Sequence, residues 1–212
     1  MIVSSDMLLA FLAASALITI APGPDNLMVL GFGVSRGRYA GIGAAIGCAL
    51  GCLTHTLWAA LGVSALIAAS SGAFLVLKLA GGGYLLWLGF KAWRLAGHAV
   101  FDEASTTAGH HAARYLWRGF LANAVNPKVA LFFLAFLPQF VESDSSGVTA
   151  QLLFFGGVFA AQTALIFTLI ACFSAVIGTW LKRRPSLSQW LDRATGALFV
   201  GLGLKLVLSS KP

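Results

Sequence analysis

The stretch APGPDNLMVL, residues 21–30, decides how the rest of the chain is read. Pro22 and Pro24 each lack a backbone donor, and each ring crowds the turn before it. Gly23 between them loosens the backbone further. A continuous helix through 22–24 is therefore not expected. Apolar sequence flanks the break at 7–21 and 25–34, and neither piece can cross a hydrocarbon layer of about 30 Å alone. Together they make one span whose break lies at membrane depth. Irregular backbone persists there only when buried in protein or lining a wet cavity.

Composition points to a membrane. Of 212 residues, 58% are hydrophobic and 10% charged, with mean hydropathy +0.87; typical soluble chains carry about 25% charged residues. Apolar runs fall at about 7–34, 40–69, 73–95, 116–141, 148–180 and 189–208, each able to span once. No room is left for a separate soluble domain. The expected fold class is all-α integral membrane with six transmembrane helices.

The connectors alternate in charge. Arg36 and Arg38 occupy the first; Arg94, Arg114 and Arg118 surround the third; Lys182, Arg183 and Arg184 form the fifth. The second is neutral and the fourth acidic, with Glu142 and Asp144. The positive-inside rule then places both termini outside the cytoplasm. Trp93, Trp117, Trp180 and Trp190 all fall at the cytoplasmic interface, which suits indole rings. The net charge of +7 is explained by orientation, and no nucleic-acid partner is expected. The N-terminal MIVSSDMLLAF has no basic n-region and is not expected to be a cleaved signal peptide. Cys48, Cys52 and Cys172 lie in apolar segments and suggest no disulfide framework.

Residues 77–91 (LKLAGGGYLLWLGFK) and 191–205 (LDRATGALFVGLGLK) align without gaps, pairing Gly82 with Gly196 and Gly89 with Gly203. With three spans in each half, the second half is inverted relative to the first. The expectation is one transport domain: a first repeat at about 1–96, a cytoplasmic linker at about 97–114 and a second repeat at about 115–212. Such repeats characterise secondary transporters, with the site near the midplane. The linker's His98, His110 and His111 are read as solvated, and a metal tract is the competing reading.

The chemistry gathers at two breaks. Asp25 follows Pro24 directly, and a carboxylate within the membrane is a functional candidate by default. In the second half, NAVNPKVALFF places Asn126 as helix N-cap, Pro127 at the first helical position and Lys128 next. The competing readings are that Asp25 only caps its half-helix and that Lys128 snorkels to the interface. Each break precedes a new half-helix, so each aims a positive dipole end, roughly half a charge, at one region. That field and Lys128 suit a carboxylate, and Asp25 suits an ammonium. A small zwitterion satisfies both.

Gly43, Gly47, Gly51 and His55 recur every four residues, a spacing that lets helix backbones approach closely. His55 thus faces the bundle. With an ordinary pKa of about 6.5 it can relay protons, or it is a neutral histidine bonded to a carbonyl. Cys48, Cys52 and His55 share a face and offer a soft-metal site as an alternative; small packed cysteines are the plainer reading. GFGVSRG (31–37) follows no strand and is not a nucleotide loop, and no hydrolase motif is present.

These features together resemble the LysE/RhtB amino-acid exporters. The resemblance rests on APGPDNLMV (21–29), R-G-x-x-x-G at 36–41, the glycine stripe to His55, LKLAGGGYLLWLGFKAW (77–93) and NAVNPKVALFFLAFLPQF (123–140). It implies a bacterial inner-membrane antiporter that exports a small amino acid or derivative of the threonine, homoserine or leucine kind, driven by protons. No enzymatic activity, cofactor or resident metal is expected; a homodimer is admissible. The residues expected to bind substrate are Asp25, Asn26, Asn126 and Lys128, with Asp25 or His55 carrying the proton and Pro22, Gly23, Pro24 and Pro127 forming the breaks. Efflux of a soft heavy-metal cation and a non-transporting membrane assembly subunit stand as alternatives.

Overall fold

The computed structural model describes residues 4–63, 71–94, 112–141, 147–183 and 185–209. Within them the chain is helical, with no strand. Its helices are α1 (Ser5–Ile20), α2 (Pro24–Arg36), α3 (Arg38–Trp58), α4 (Ser71–Arg94), α5 (Ala112–Ala124), α6 (Pro127–Leu131), α7 (Val148–Cys172), α8 (Ser174–Arg183) and α9 (Pro185–Leu208). A π-helical turn at Ala59–Val63 prolongs α3. A second one at Phe132–Phe136 and a 3₁₀ turn at Leu137–Phe140 continue α6.

Both proline breaks form as the sequence requires. α1 and α2 meet at 59°, and α5 meets the Pro127–Phe140 segment at 49°. Three continuous stretches among the described residues are long and apolar enough to span: Arg38–Gly62, Leu75–Arg94 and Val148–Cys172. Counting each bent pair as one span gives up to five. α9, which carries Asp192, Arg193 and Lys205, is not among them. The run expected at 148–180 is divided, because α7 stops at Cys172 and α8 starts afresh after Phe173. Residues 95–111, with His98, His110 and His111 of the expected linker, lie outside the described residues, as do Glu142, Asp144 and Arg184.

The outer surface is apolar: Leu9, Leu57, Trp58, Leu61, Val76 and Leu165 are exposed, as a lipid-facing belt requires. Inside, phenylalanines from α1, the α6 continuation and α7 interlock. Phe11, Phe132, Phe133, Phe136, Phe155 and Phe159 are all at most 2% exposed, with ring centroids 4.7 Å apart for Phe11–Phe155 and 5.0 Å for Phe133–Phe159.

The glycine stripe does what its spacing predicts. A Cβ on Gly47 would collide with the Leu116 carbonyl, and one on Gly51 would stand 2.7 Å from the Asn123 Cβ. On the facing helix, a Cβ on Gly119 would strike the Ala44 carbonyl. α3 and α5 therefore cross almost backbone to backbone.

α4 and α9 pair antiparallel through the aligned glycines. A Cβ on Gly82 would lie 3.3 Å from the Gly203 carbonyl, and one on Gly89 2.7 Å from that of Gly196. The alignment equates Gly82 with Gly196 and Gly89 with Gly203, so exchanging the two helices carries one contact onto the other.

Candidate functional site

The two breaks lie against each other. Asp25 and Lys128 occupy equivalent places, each the residue after the proline that starts its half-helix. Their environments then differ. Asn126 is the N-cap of α6, its Oδ1 accepting from the Lys128 backbone N–H at 3.0 Å. The N-cap of α2 is Gly23, with no side-chain cap, so Asp25 does not serve as one. Instead Asp25, 1% exposed, accepts from Asn123 Nδ2 at 2.7 Å through Oδ2, while Oδ1 is buried without a partner.

Lys128 is buried and does not snorkel. Its ammonium donates to the Ala21 carbonyl at 3.0 Å, beyond the C-terminus of α1, and lies 6.0 Å from the Phe199 ring centroid. Asn26 Nδ2 donates to the Thr19 carbonyl at 2.7 Å and the Ile20 carbonyl at 3.4 Å. The carbonyls freed where α1 ends are thus met by one side chain from each break, Asn26 and Lys128, which satisfies backbone that lipid would leave stranded. No ion pair within 4 Å joins Asp25 to Lys128 among the described residues.

A cleft of about 1170 Å³, counting its open mouth, lies beside both breaks, bordered by Pro22, Trp87, Asn126, Lys128, Asp192 and Phe199. Asn126 Nδ2 is a buried donor without a partner at this wall. Asp25 does not border the cleft. It borders a separate cavity of about 260 Å³ with Thr19, Asn123, Lys128 and Thr163, whose free core is little more than one water across. Lys128 is the residue common to both spaces.

A family model described as LysE type translocator matches residues 16–210. The chain belongs to this family. The chain is 31% identical over 198 residues to a homoserine/homoserine lactone efflux protein of Salmonella typhi, covering 93% of this chain and 94% of the relative. It is 30% identical over 211 residues to the threonine efflux protein of Escherichia coli K12, covering 96% and 100%. An uncharacterized membrane protein of Vibrio cholerae is 29% identical over 198 residues, covering 93% and 95%. No solved structure matches.

His55 lies where the glycine stripe aims it. It is 5% exposed, and its Nε2 stands 2.9 Å from the Asn123 backbone carbonyl. Since a carbonyl only accepts, Nε2 carries the proton. The chain thus joins His55 to Asp25 through Asn123, backbone on one side and side chain on the other. Asn123 was not singled out in the sequence, although it sits one helical turn before Asn126 as the only amide inside an otherwise apolar stretch of α5. Thr19, Thr163 and the cleft-facing Trp87 and Asp192 were missed as well; nothing local distinguishes them from packing or interface residues.

The soft-metal alternative loses its site. Cys48 and Cys52 are buried, but Cys52 Sγ faces Thr163 Oγ1 at 4.0 Å and His55 is committed to Asn123. Among the described residues no three His, Cys, Asp or Glu side chains gather to hold a metal ion.

Proposed function

We propose that this chain is a secondary active exporter of a small zwitterionic amino acid or derivative, of the threonine, homoserine or leucine kind, working by alternating access in a bacterial inner membrane. The observation that carries this reading is the meeting of two broken helices at one cleft, with Lys128 on its wall and Asp25 sealed just behind. The efflux functions named for the relatives from Salmonella typhi and Escherichia coli support the substrate class.

In this reading the α-carboxylate enters the cleft and takes donors from Lys128 Nζ and the free Nδ2 of Asn126. The ammonium is drawn to Asp25, with Asn26 holding the end of α1 in place. Asp25 is closed off from the cleft, so full engagement requires the breaks to shift; that movement is the step that commits the substrate. Downhill entry of a cation drives export, and protonation of Asp25 or His55 is the simplest form of it. The inverted repeat is supported by the equivalent Pro-Asp and Pro-Lys breaks and by the exchangeable glycine contacts of α4 and α9. It makes α9 the sixth span, with both termini outside the cytoplasm.

Efflux of labelled amino acids from proteoliposomes under an imposed pH gradient tests the proposal. Asp25→Asn and Lys128→Met together are expected to lower efflux by at least about a hundredfold, the scale of two lost charged hydrogen-bond partners of the substrate at about 1.5 kcal/mol or more each. Unchanged efflux in that double variant would sink the assignment of the site.

A further inference from the structure

α4 and α9 complete the cleft beside the two breaks, with Trp87 and Lys91 on α4 and Asp192, Thr195 and Phe199 on α9. Asp192, Thr195 and Phe199 stand at i, i+3 and i+7, so one face of α9 lines the space. Phe199 marks the Lys128 end of that face, its ring centroid 6.0 Å from the ammonium. Asp192 lies about two turns nearer the start of α9. It is half-buried and past the first turn of the helix, so it is not a cap. Among the described residues bordering the cleft it is the one acid, against Lys91 and Lys128. Lys91 is exposed, with its ammonium 4.9 Å from the Trp87 ring centroid. Lys128 has Asp25 behind the wall, on the small cavity that both border. Asp25 and Asp192 thus stand against Lys91 and Lys128, and these four charges cancel.

We propose that Asp192 is the carboxylate that meets the substrate ammonium on loading, and that it makes the cleft selective for amino acids over acids that lack the amine. The proposal rests on the export reading and deepens it. Lys128, Asn126 Nδ2 and the half-helix ends attract any small carboxylate, so they do not distinguish an amino acid from its deaminated analogue. Asp25 does not make that distinction at loading, because it does not border the cleft. Asp192 does border it. A zwitterion with its carboxylate at Lys128 has its ammonium free to face the α9 wall, where Asp192 is the anion. The four wall charges cancel, so a zwitterion leaves the cleft neutral and a simple anion leaves it negative. When the breaks shift, the ammonium passes to Asp25, and proton coupling there is unaffected. The aligned repeat has Lys78 in the place of Asp192, and Lys78 donates to the Ser209 carbonyl at 2.9 Å. The acid therefore marks one side of the bundle and is not a feature that both repeats need for packing.

The test measures accumulation of labelled leucine, threonine and homoserine in energised inverted vesicles carrying the full chain, against vesicles without it. Each amino acid is competed with its α-hydroxy acid, in which a hydroxyl replaces the ammonium. In Asp192→Asn the half-saturation of the transported amino acid should rise about tenfold or more, the scale of one charged hydrogen bond. The α-hydroxy acid should inhibit that variant at least as well as it inhibits the wild type. A merely structural role for Asp192 would weaken both compounds together, and that result, or no change in either, overturns the proposal. If Asp192→Asn fails to fold, Lys91→Gln decides, since it removes an exposed cation from the same wall. It should weaken the α-hydroxy acid relative to the amino acid by about two- to fivefold, the scale of an exposed charge. An unchanged ratio there overturns the proposal. Accumulation of an amino acid with Asp192→Asn unaltered removes the role of Asp192 and leaves the exporter. No accumulation of any of the three by the wild type refutes the exporter, and this role with it.

Discussion

A lysine in the first turn of a helix meets the positive end of the dipole, an unfavourable place. Lys128 tolerates it because its ammonium reaches the Ala21 carbonyl, at the negative end of α1. Asp25 has the favourable end of α2 but keeps only one partner, Asn123 Nδ2 at 2.7 Å. Asn123 is therefore the residue whose removal isolates the carboxylate. Asn123→Ala leaves both Asp25 oxygens unmet, at about 1–3 kcal/mol. The expected outcome is a lower Tm, together with efflux reduced by at least about tenfold, the equivalent of about 1.4 kcal/mol. Wild-type values for both would show that the bond is incidental. Asp25 and Lys128 stood out in the sequence because charge inside an apolar run is costly, and the structure removes the capping and snorkelling readings that competed for them. Asn123 was not, because its role depends on α2 and α3 arriving at one point of α5, which spacing within α5 does not encode.

Among the elements, the α3–α5 crossing is the most exacting. Gly47 and Gly119 leave no space for a methyl group, since the atoms in the way are the Leu116 and Ala44 carbonyls and not flexible side chains. Gly47→Ala should therefore push two helices apart and displace His55 from Asn123, costing about 3 kcal/mol or more, at the upper end of overpacking. Gly157→Ala, in the middle of α7 with nothing within 4 Å of its new methyl, is the matched control. It should be neutral or stabilise by up to about 1 kcal/mol through helix propensity. Thermal unfolding of the two variants side by side decides the matter, and equal Tm values would contradict the crossing. The i, i+4 glycines announced this contact in the sequence, and the prolines announced both breaks. The division at Phe173 was hidden: no proline or glycine marks it, and apolar residues continue across it. The π-helical turn at Phe132–Phe136 was hidden for a similar reason, since it arises from how the phenylalanines interlock and not from their order.

At the scale of the molecule, the two ends of the bundle differ. The cleft is bordered by Lys91, Ala92 and Asp192, beside the ends of α4 and α9 where Arg94 and Arg193 lie. The opposite half is filled by Phe11, Phe132, Phe136, Phe140 and Phe155. On the proposed reading, with basic connectors facing the cytoplasm, the cleft is the side that loads substrate from inside and the phenylalanine cluster is the closed outer half. An exporter at rest in a cell rich in its substrate is expected to stand this way. The consequence is measurable from the sides of the membrane. In a Cys172→Ser background, which removes the exposed thiol and leaves the buried Cys48 and Cys52, Ala92→Cys should react with an impermeant maleimide in inverted vesicles and not in intact spheroplasts. Saturating substrate should slow that reaction if, as proposed, its carboxylate binds at Lys128 and fills the cleft that Ala92 borders. Reaction from the outer side alone would reverse the orientation; reaction from neither side would mean the cleft is closed. Protection by substrate from the cytoplasmic side would tie the direction of transport to the cleft that the two broken helices share.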